Sequence, residues 1–272
     1  MNELIVYLVS DSTGETVSCV ATSALAHFKN LKTKKHARSF YDTKSKIDKL
    51  ISEIEIQNKK LIVILYTIAD QELLEYLEQK CKEKSILAIA AITKVIDDLT
   101  NHLHLEKDFQ VGKQHELGEG YFKRVEAINF ALIHDDGQAL ESIGKADIII
   151  LGISRTSKSP TSLYIAQKGI KVANIPFITK ELFPVPSQNL KDKFVVALTI
   201  EPSVLGEIRA KRLLNYNIKD NTSYVDLDFI KSEAYEALKF YKQNKIHILD
   251  VTKRSVEETA ALILQLYNKN KE

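Results

Sequence analysis

The chain has 272 residues, of which 44% are hydrophobic and 27% charged, with 9 Gly, 5 Pro and no Trp. This composition is that of a globular protein able to bury a large core, and it excludes low-complexity chains and disulfide-stapled miniproteins. A formal net charge of +2 gives no global attraction to nucleic acid or membrane, and no apolar run approaches the roughly 20 residues of a membrane span.

The elements alternate from the start. The N-terminal part predicts a strand over 4–9, a helix over 15–28 and an edge strand at 39–41. A helix over 47–55, a strand over 61–66, a helix over 71–82 and an apolar run over 85–91 follow. Residues 100–120 are more polar, lack a clear period and form the candidate junction. Beyond them come a helix over 122–132, a strand over 147–151, a helix over 161–168 and a strand over 171–175 closed by Pro176. The pattern ends with a strand over 194–199, a helix over 204–214, a strand over 246–250 and a helix over 256–267. Strands alternating with helices imply parallel sheets joined by crossover helices. The expected fold class is α/β: two α/β domains with mainly parallel sheets, an N-terminal domain over 1–105 and a kinase-like domain over 106–272. Such sheets hold ligands at the carboxyl ends of their strands.

One of those ends carries the strongest chemical signal. The apolar run Ile148-Ile149-Ile150-Leu151 breaks at Gly152, and Ile153, Ser154, Arg155, Thr156, Ser157, Lys158 and Ser159 lead into a helix. Strand, polar loop and helix start build a phosphate site, because the helix N-terminus offers unpaired N–H groups and partial positive charge. Gly152, Lys158 and Ser159 fit the G-x-x-x-x-G-K-[ST] spacing of a P-loop, but Ser157 stands where the second Gly belongs. In this variant P-loop Lys158 neutralises phosphate oxygens, Arg155 forks onto a second pair, and the Ser159 hydroxyl holds a metal. The plainer reading is an ordinary strand-to-helix turn with solvated cations.

Three other stretches carry two readings each. In Ser10-Asp11-Ser12-Thr13-Gly14-Glu15-Thr16, Ser12 or Thr13 as a helix N-cap accounts for the composition, with Asp11 as base or metal ligand the functional alternative. In His134-Asp135-Asp136-Gly137 the choice lies between a helix C-terminus capped by Gly137 and carboxylates that hold Mg²⁺ or take a hydroxyl proton. Arg209 and Arg212 either reach a phosphate or lie on the surface with Glu207. Two features carry less. The basic stretch 29–49 reads as a solvated face, and His102, His104 and His115 complete no metal spacing. Cys19 and Cys81 are far apart in sequence and, with an opening that lacks a signal-peptide layout, point to a reducing cytosol.

Taken together, Val9 to Thr16, His134 to Gly137, Leu151 to Tyr164, Gly169 to Pro176, and Leu198 to Ile200 followed by Pro202, Arg209 and Arg212 resemble one family nearly end to end: the bacterial pyruvate, phosphate dikinase regulatory proteins. The GISRTSKSPTSLY run is the most specific part. Ser159 stands where the family usually has Thr, which keeps the hydroxyl. A sister branch that regulates phosphoenolpyruvate synthase tends to carry Cys-Gly where this chain has Thr156-Ser157, so the pair favours the dikinase branch. The resemblance implies a cytoplasmic, bifunctional Ser/Thr kinase and phosphorylase. It uses ADP to phosphorylate a threonine of the dikinase, and it reverses this with inorganic phosphate, releasing pyrophosphate. The family's nucleotide segment maps onto 152–159, with Lys158, Asp135, Asp136 and then Asp11 as the catalytic candidates and Mg²⁺ as the expected metal at Ser159. The dikinase is the implied partner, and a homodimer is compatible with this reading. A small-molecule kinase using ATP and a nucleotide sensor without catalysis are the alternatives.

Overall fold

The computed structural model describes residues 3–57, 61–106, 119–178, 193–215 and 222–271. The chain divides into two compact units, Met1–Glu116 and Leu117–Glu272.

In the first unit, β1 (Glu3–Ser10), β2 (Lys32–Arg38), β3 (Leu61–Thr67) and β4 (Leu87–Ala90) form a parallel sheet in the order β2-β1-β3-β4. Ile5 to Val9 are all buried, as expected for a central parallel strand covered on both faces. Helix α1 (Glu15–Leu25) seats Val17 and Ala21 against Val6, Leu8 and Val63. On the other face α2 (Lys44–Ile56) and α3 (Gln71–Glu83) cover Ile5, Tyr7 and Ile64.

The second unit repeats this plan. Its strands β5 (Ile148–Gly152), β6 (Val172–Pro176), β7 (Phe194–Thr199) and β8 (His247–Asp250) lie in the order β6-β5-β7-β8, all parallel. Around them are α5 (Glu119–Ile133), α6 (Lys158–Ala166), α7 (Pro202–Asn215), the short α8 (Thr222–Val225), α9 (Leu227–Gln243) and α10 (Val256–Lys269). In each unit the first strand has its second strand on one side and its third on the other. That is the switch point at which an open parallel sheet forms a crevice at its carboxyl edge. The loops after Ser10 and after Gly152 both leave from such a point.

The structure departs from the sequence reading in five places. The edge strand is Lys32–Arg38, and 39–41 instead brace the loop after β1. Ser39 Oγ donates to the Thr13 carbonyl at 2.6 Å, Phe40 N to Ser12 O at 2.9 Å, and Tyr41 N to Ser10 O at 2.8 Å. An edge strand with solvent on both sides needs no apolar alternation, so a lysine-rich one leaves no period to read. Neither Ser12 nor Thr13 caps α1. The N-cap is Gly14, at φ 82°, where a side chain would be strained and its Cβ would lie 3.0 Å from Ser39 Oγ. Three helices have no counterpart in the sequence reading: α4 (Thr93–Leu103), which buries no residue, the short α8, and α9, whose Ile230, Ala237, Phe240 and Tyr241 recur on one face and are buried.

Candidate active site

Gly152 ends β5 at the switch point of the second sheet because nothing larger fits. A Cβ there would lie 2.5 Å from Thr156 Oγ1 and 3.2 Å from both the Leu198 carbonyl and Lys158 Cδ. The loop that follows curls on itself. Thr156, fully buried, donates its hydroxyl to the Ile153 carbonyl at 2.9 Å, and Lys158 Nζ reaches the same carbonyl at 3.1 Å. Arg155 and Ser157 both take left-handed backbone, at φ 74° and 62°. Ser157 is the N-cap of α6 and makes no side-chain cap bond, so no side chain occupies the helix start as a cap.

Lys158 is the first residue of α6 and only 6% exposed. Burial pulls its ammonium down from 10.5 to about 8, against the opposing pull of Asp136 and then Asp135. The two carboxylates therefore lie close enough to act on Lys158, although a fold of the chain separates them in sequence. They sit on a 3-10 turn, Asp135–Gly137, held in place from two sides. His134, just before it, is buried, stacks on Phe130 at 3.7 Å and places its ring nitrogens 2.8 Å from the Phe130 carbonyl and 2.7 Å from Ser142 Oγ. Asn174 N on β6 donates to the His134 carbonyl at 3.0 Å.

Asn174 is the link between the carboxylate turn and the loop. Fully buried within β6, it donates through Nδ2 to Ser159 Oγ at 2.9 Å and to Asp135 Oδ1, while its Oδ1 finds no partner among the described residues. Asp135 and Ser159 thus meet at the Asn174 amide nitrogen, and their oxygens and the unpartnered Asn174 Oδ1 are hard donors of the kind Mg²⁺ takes.

On the other side the loop rests on Arg209, Tyr224 and Glu233. Arg209 is 1% exposed and not on the surface, which corrects the reading of it as a solvated charge beside Glu207. Its Nη2 donates to Glu233 Oε2 at 2.8 Å and to the Ser154 carbonyl at 3.2 Å, and its guanidinium lies 4.6 Å from the centre of the Tyr224 ring. The Tyr224 hydroxyl accepts from Arg155 Nε at 3.1 Å and meets Ser154 Oγ at 3.2 Å. Burial pushes the Tyr224 phenol up, but its bonds with Ser154 and Arg155 and the charges of Arg155 and Arg209 outweigh that and hold it below its ordinary value.

The kinase/pyrophosphorylase family profile matches residues 6–264. The chain belongs to the kinase/pyrophosphorylase family. Three relatives carry the name pyruvate, phosphate dikinase regulatory protein. That of Wolbachia pipientis wMel is 43% identical, covering 99% of this chain and 98% of its own; that of Ehrlichia canis is 44% identical, covering 97% and 96%. That of Anaplasma phagocytophilum is 42% identical over 97% of this chain and 93% of its own. As a member of this family the chain is a phosphotransferase.

The sequence-read residues fall in two groups. Gly152 to Ser159, Asp135 and Asp136 come together in the second unit. Asp11 lies in the first unit, buried at the carboxyl end of β1, where its Oδ2 accepts from Ala69 N at 2.5 Å and Asp70 N at 3.2 Å. No group of three or more His, Cys, Asp or Glu suited to a metal occurs among the described residues, and His115 lies outside them. Among the described residues no helix is long and apolar enough to cross a membrane. Sequence reading missed Asn174, Tyr224 and Glu233. Asn174 had a signal, since an Asn inside the strand VANIP is a polar residue where only apolar ones are expected.

Proposed function

We propose that the chain regulates pyruvate, phosphate dikinase by ADP-dependent phosphorylation of a threonine, and reverses the modification by phosphate-dependent, pyrophosphate-forming dephosphorylation. The target comes from the name its full-length relatives bear. The observation that carries the chemistry is Lys158, a buried cation at an uncapped helix start, set beside the carboxylates of Asp135 and Asp136.

Both directions move one phosphoryl group between oxygens, so positioning and charge neutralisation do most of the work. Lys158, Arg155 and the amides at the start of α6 bind the β-phosphate of ADP. In the forward direction the threonine oxygen attacks the β-phosphorus, the bond to the bridging oxygen breaks, and AMP leaves. The threonine proton passes to Asp135 or Asp136. Asp136 is exposed and free to meet a protein substrate, whereas Asp135 is tied to Asn174. In the reverse direction an oxygen of orthophosphate, held in the same cradle, attacks the phosphothreonine phosphorus. Pyrophosphate forms, and the threonine oxygen takes its proton back from the carboxylic acid. Mg²⁺ held by Ser159 and Asp135, with Asn174 beside them, would neutralise charge on the phosphate oxygens.

The test incubates the protein with Mg²⁺, ADP and histidine-phosphorylated dikinase and assays threonine phosphate. Parallel arms use ATP as donor and phosphoenolpyruvate synthase as acceptor. Transfer from ADP to the dikinase is the expected result. Transfer from ATP but not ADP would remove the reading, transfer only to the synthase would move it to the sister target, and nucleotide binding without transfer would leave a sensor.

A further inference from the structure

The sheet that ends in the Lys158 loop has a second feature on the same edge. Beyond the carboxyl ends of β7 and β8 lies an open cleft of about 530 Å³, lined by Ile200, Glu201, Leu238, Asp250, Thr252 and Arg254 among others. None of these residues takes part in the network around Lys158.

We infer that this cleft is the nucleoside subsite of the donor, holding the base and ribose of a nucleoside diphosphate whose phosphates lie in the 152–159 loop. The inference rests on the phosphate reading of that loop. Strand register supports the placement. Gly152 of β5 pairs with Leu198 of β7, and Thr199 of β7 pairs with Asp250 of β8. Neighbouring strands lie about 4.8 Å apart, so the loop and the far wall of the cleft are separated by about 10 Å along one sheet edge. An extended nucleoside diphosphate has a comparable reach. The volume falls within the range of small-ligand sites.

The lining chemistry suits a nucleoside. Ile200, 8% exposed, and half-buried Leu238 provide an apolar surface for a base. Arg254 is exposed, and its Nε is fixed on the Asp250 carbonyl at 2.8 Å. That bond leaves the flat guanidinium available to lie against a ring face. Glu201 is exposed and its carboxylate suits ribose hydroxyls, the role an acidic residue takes in other parallel-sheet nucleotide sites. The turn beneath is rigid: Glu201 N donates to Thr252 Oγ1 at 2.9 Å, and Thr252 N and Oγ1 both donate to Asp250 Oδ1, at 2.9 and 2.5 Å.

The two directions of the proposed reaction separate this subsite from the phosphate cradle, because orthophosphate and pyrophosphate have no nucleoside. The experiment titrates the full chain and the variants Arg254→Ala and Leu238→Arg with ADP and, separately, with inorganic pyrophosphate. The expected result is ADP binding weakened about tenfold in each variant, with pyrophosphate binding within about twofold of the parent. Unchanged ADP affinity in both variants would overturn the subsite, as would equal loss of both ligands. A Lys158→Met control distinguishes the underlying reading. If that variant binds pyrophosphate like the parent, the phosphate assignment has failed, whatever the cleft variants do.

Discussion

Asn174 Nδ2 donates to Ser159 Oγ across 2.9 Å and, through the same nitrogen, to Asp135. One buried amide on β6 therefore sets the distance between the helix start and the carboxylate turn. Replacing it by Leu, of similar volume, removes that brace together with a buried oxygen that has no partner. The expected outcome is a fold with nearly unchanged melting temperature and a loss of phosphoryl transfer of about 10–100-fold, in line with the loss of a group that orients first contacts. Equal activity in Asn174→Leu and the parent would show that the brace is dispensable.

Lys158 makes an opposite pair of demands. Its folded value of about 8 lies below the ordinary 10.5, so between these values the unfolded chain binds more protons than the folded one. The cost of burying the charge, on the order of 3 kcal/mol, is thus present in full below pH 8 and is relieved as pH rises toward 10.5. Lys158→Met should melt higher than the parent at pH 7, with the gap closing by pH 10, while transfer in both directions falls at least about 100-fold. Parent transfer from ADP should decline as the pH passes about 8 at low ADP, and at higher pH with saturating ADP, whose charge holds the proton on. Melting curves across pH, with rates at low and high ADP, check both.

Tyr224 supports Arg155 by its hydroxyl and Arg209 by its ring. Tyr224→Phe keeps the ring and removes the oxygen that accepts from Arg155 Nε. With Arg155 freed from that bond, KM for ADP should rise about 3–10-fold at nearly constant kcat, the signature of binding lost equally in ground and transition states. A fall in kcat with KM unchanged would place Arg155 in the transition state alone.

Arg209 and Glu233 form a pair whose cation is 1% and whose anion 15% exposed. Breaking it by Arg209→Ala strands the Glu233 charge and frees the Ser154 and Tyr224 carbonyls, which should cost about 3–5 kcal/mol by denaturant titration. Replacing both residues, Arg209→Met with Glu233→Met, should recover a large part of that stability without recovering transfer.

Residue pattern exposes elements only where burial leaves a mark. β1, β3, β5 and β7 are covered on both faces, and Ile148 to Leu151 or Val195 to Leu198 read as unbroken apolar runs. β2 is a solvent-lined edge, where Lys32, Lys34 and Lys35 are as acceptable as valine. The 152–159 loop was legible as a strand-to-helix turn, because a polar run breaks off the apolar Ile148 to Leu151 and leads into α6. The carboxylate turn was legible as a composition but not as a neighbour of Lys158, since only the crossing of β6 beside β5 brings them together. Tyr224 and Glu233 left no trace at all. Their significance lies in contacts 70 and 24 residues away in sequence, with Ser154 and Arg209, made by two helices, α8 and α9, whose places against the sheet no local pattern states.

Around Lys158, three residues other than glycine hold left-handed backbone: Asp136 at φ 53°, Arg155 at 74° and Ser157 at 62°. Each such residue costs on the order of 1–2 kcal/mol against a relaxed alternative. The surrounding bonds hold that shape in the free chain, so it is in place before any ligand arrives. At Ser157, where phosphate loops commonly keep glycine, the side chain also narrows what the unfolded chain can explore. A loop built this way gives up adaptability for readiness: under the proposed function, an incoming anion would meet a surface already bent to receive it, and little of its binding energy would go into ordering the backbone.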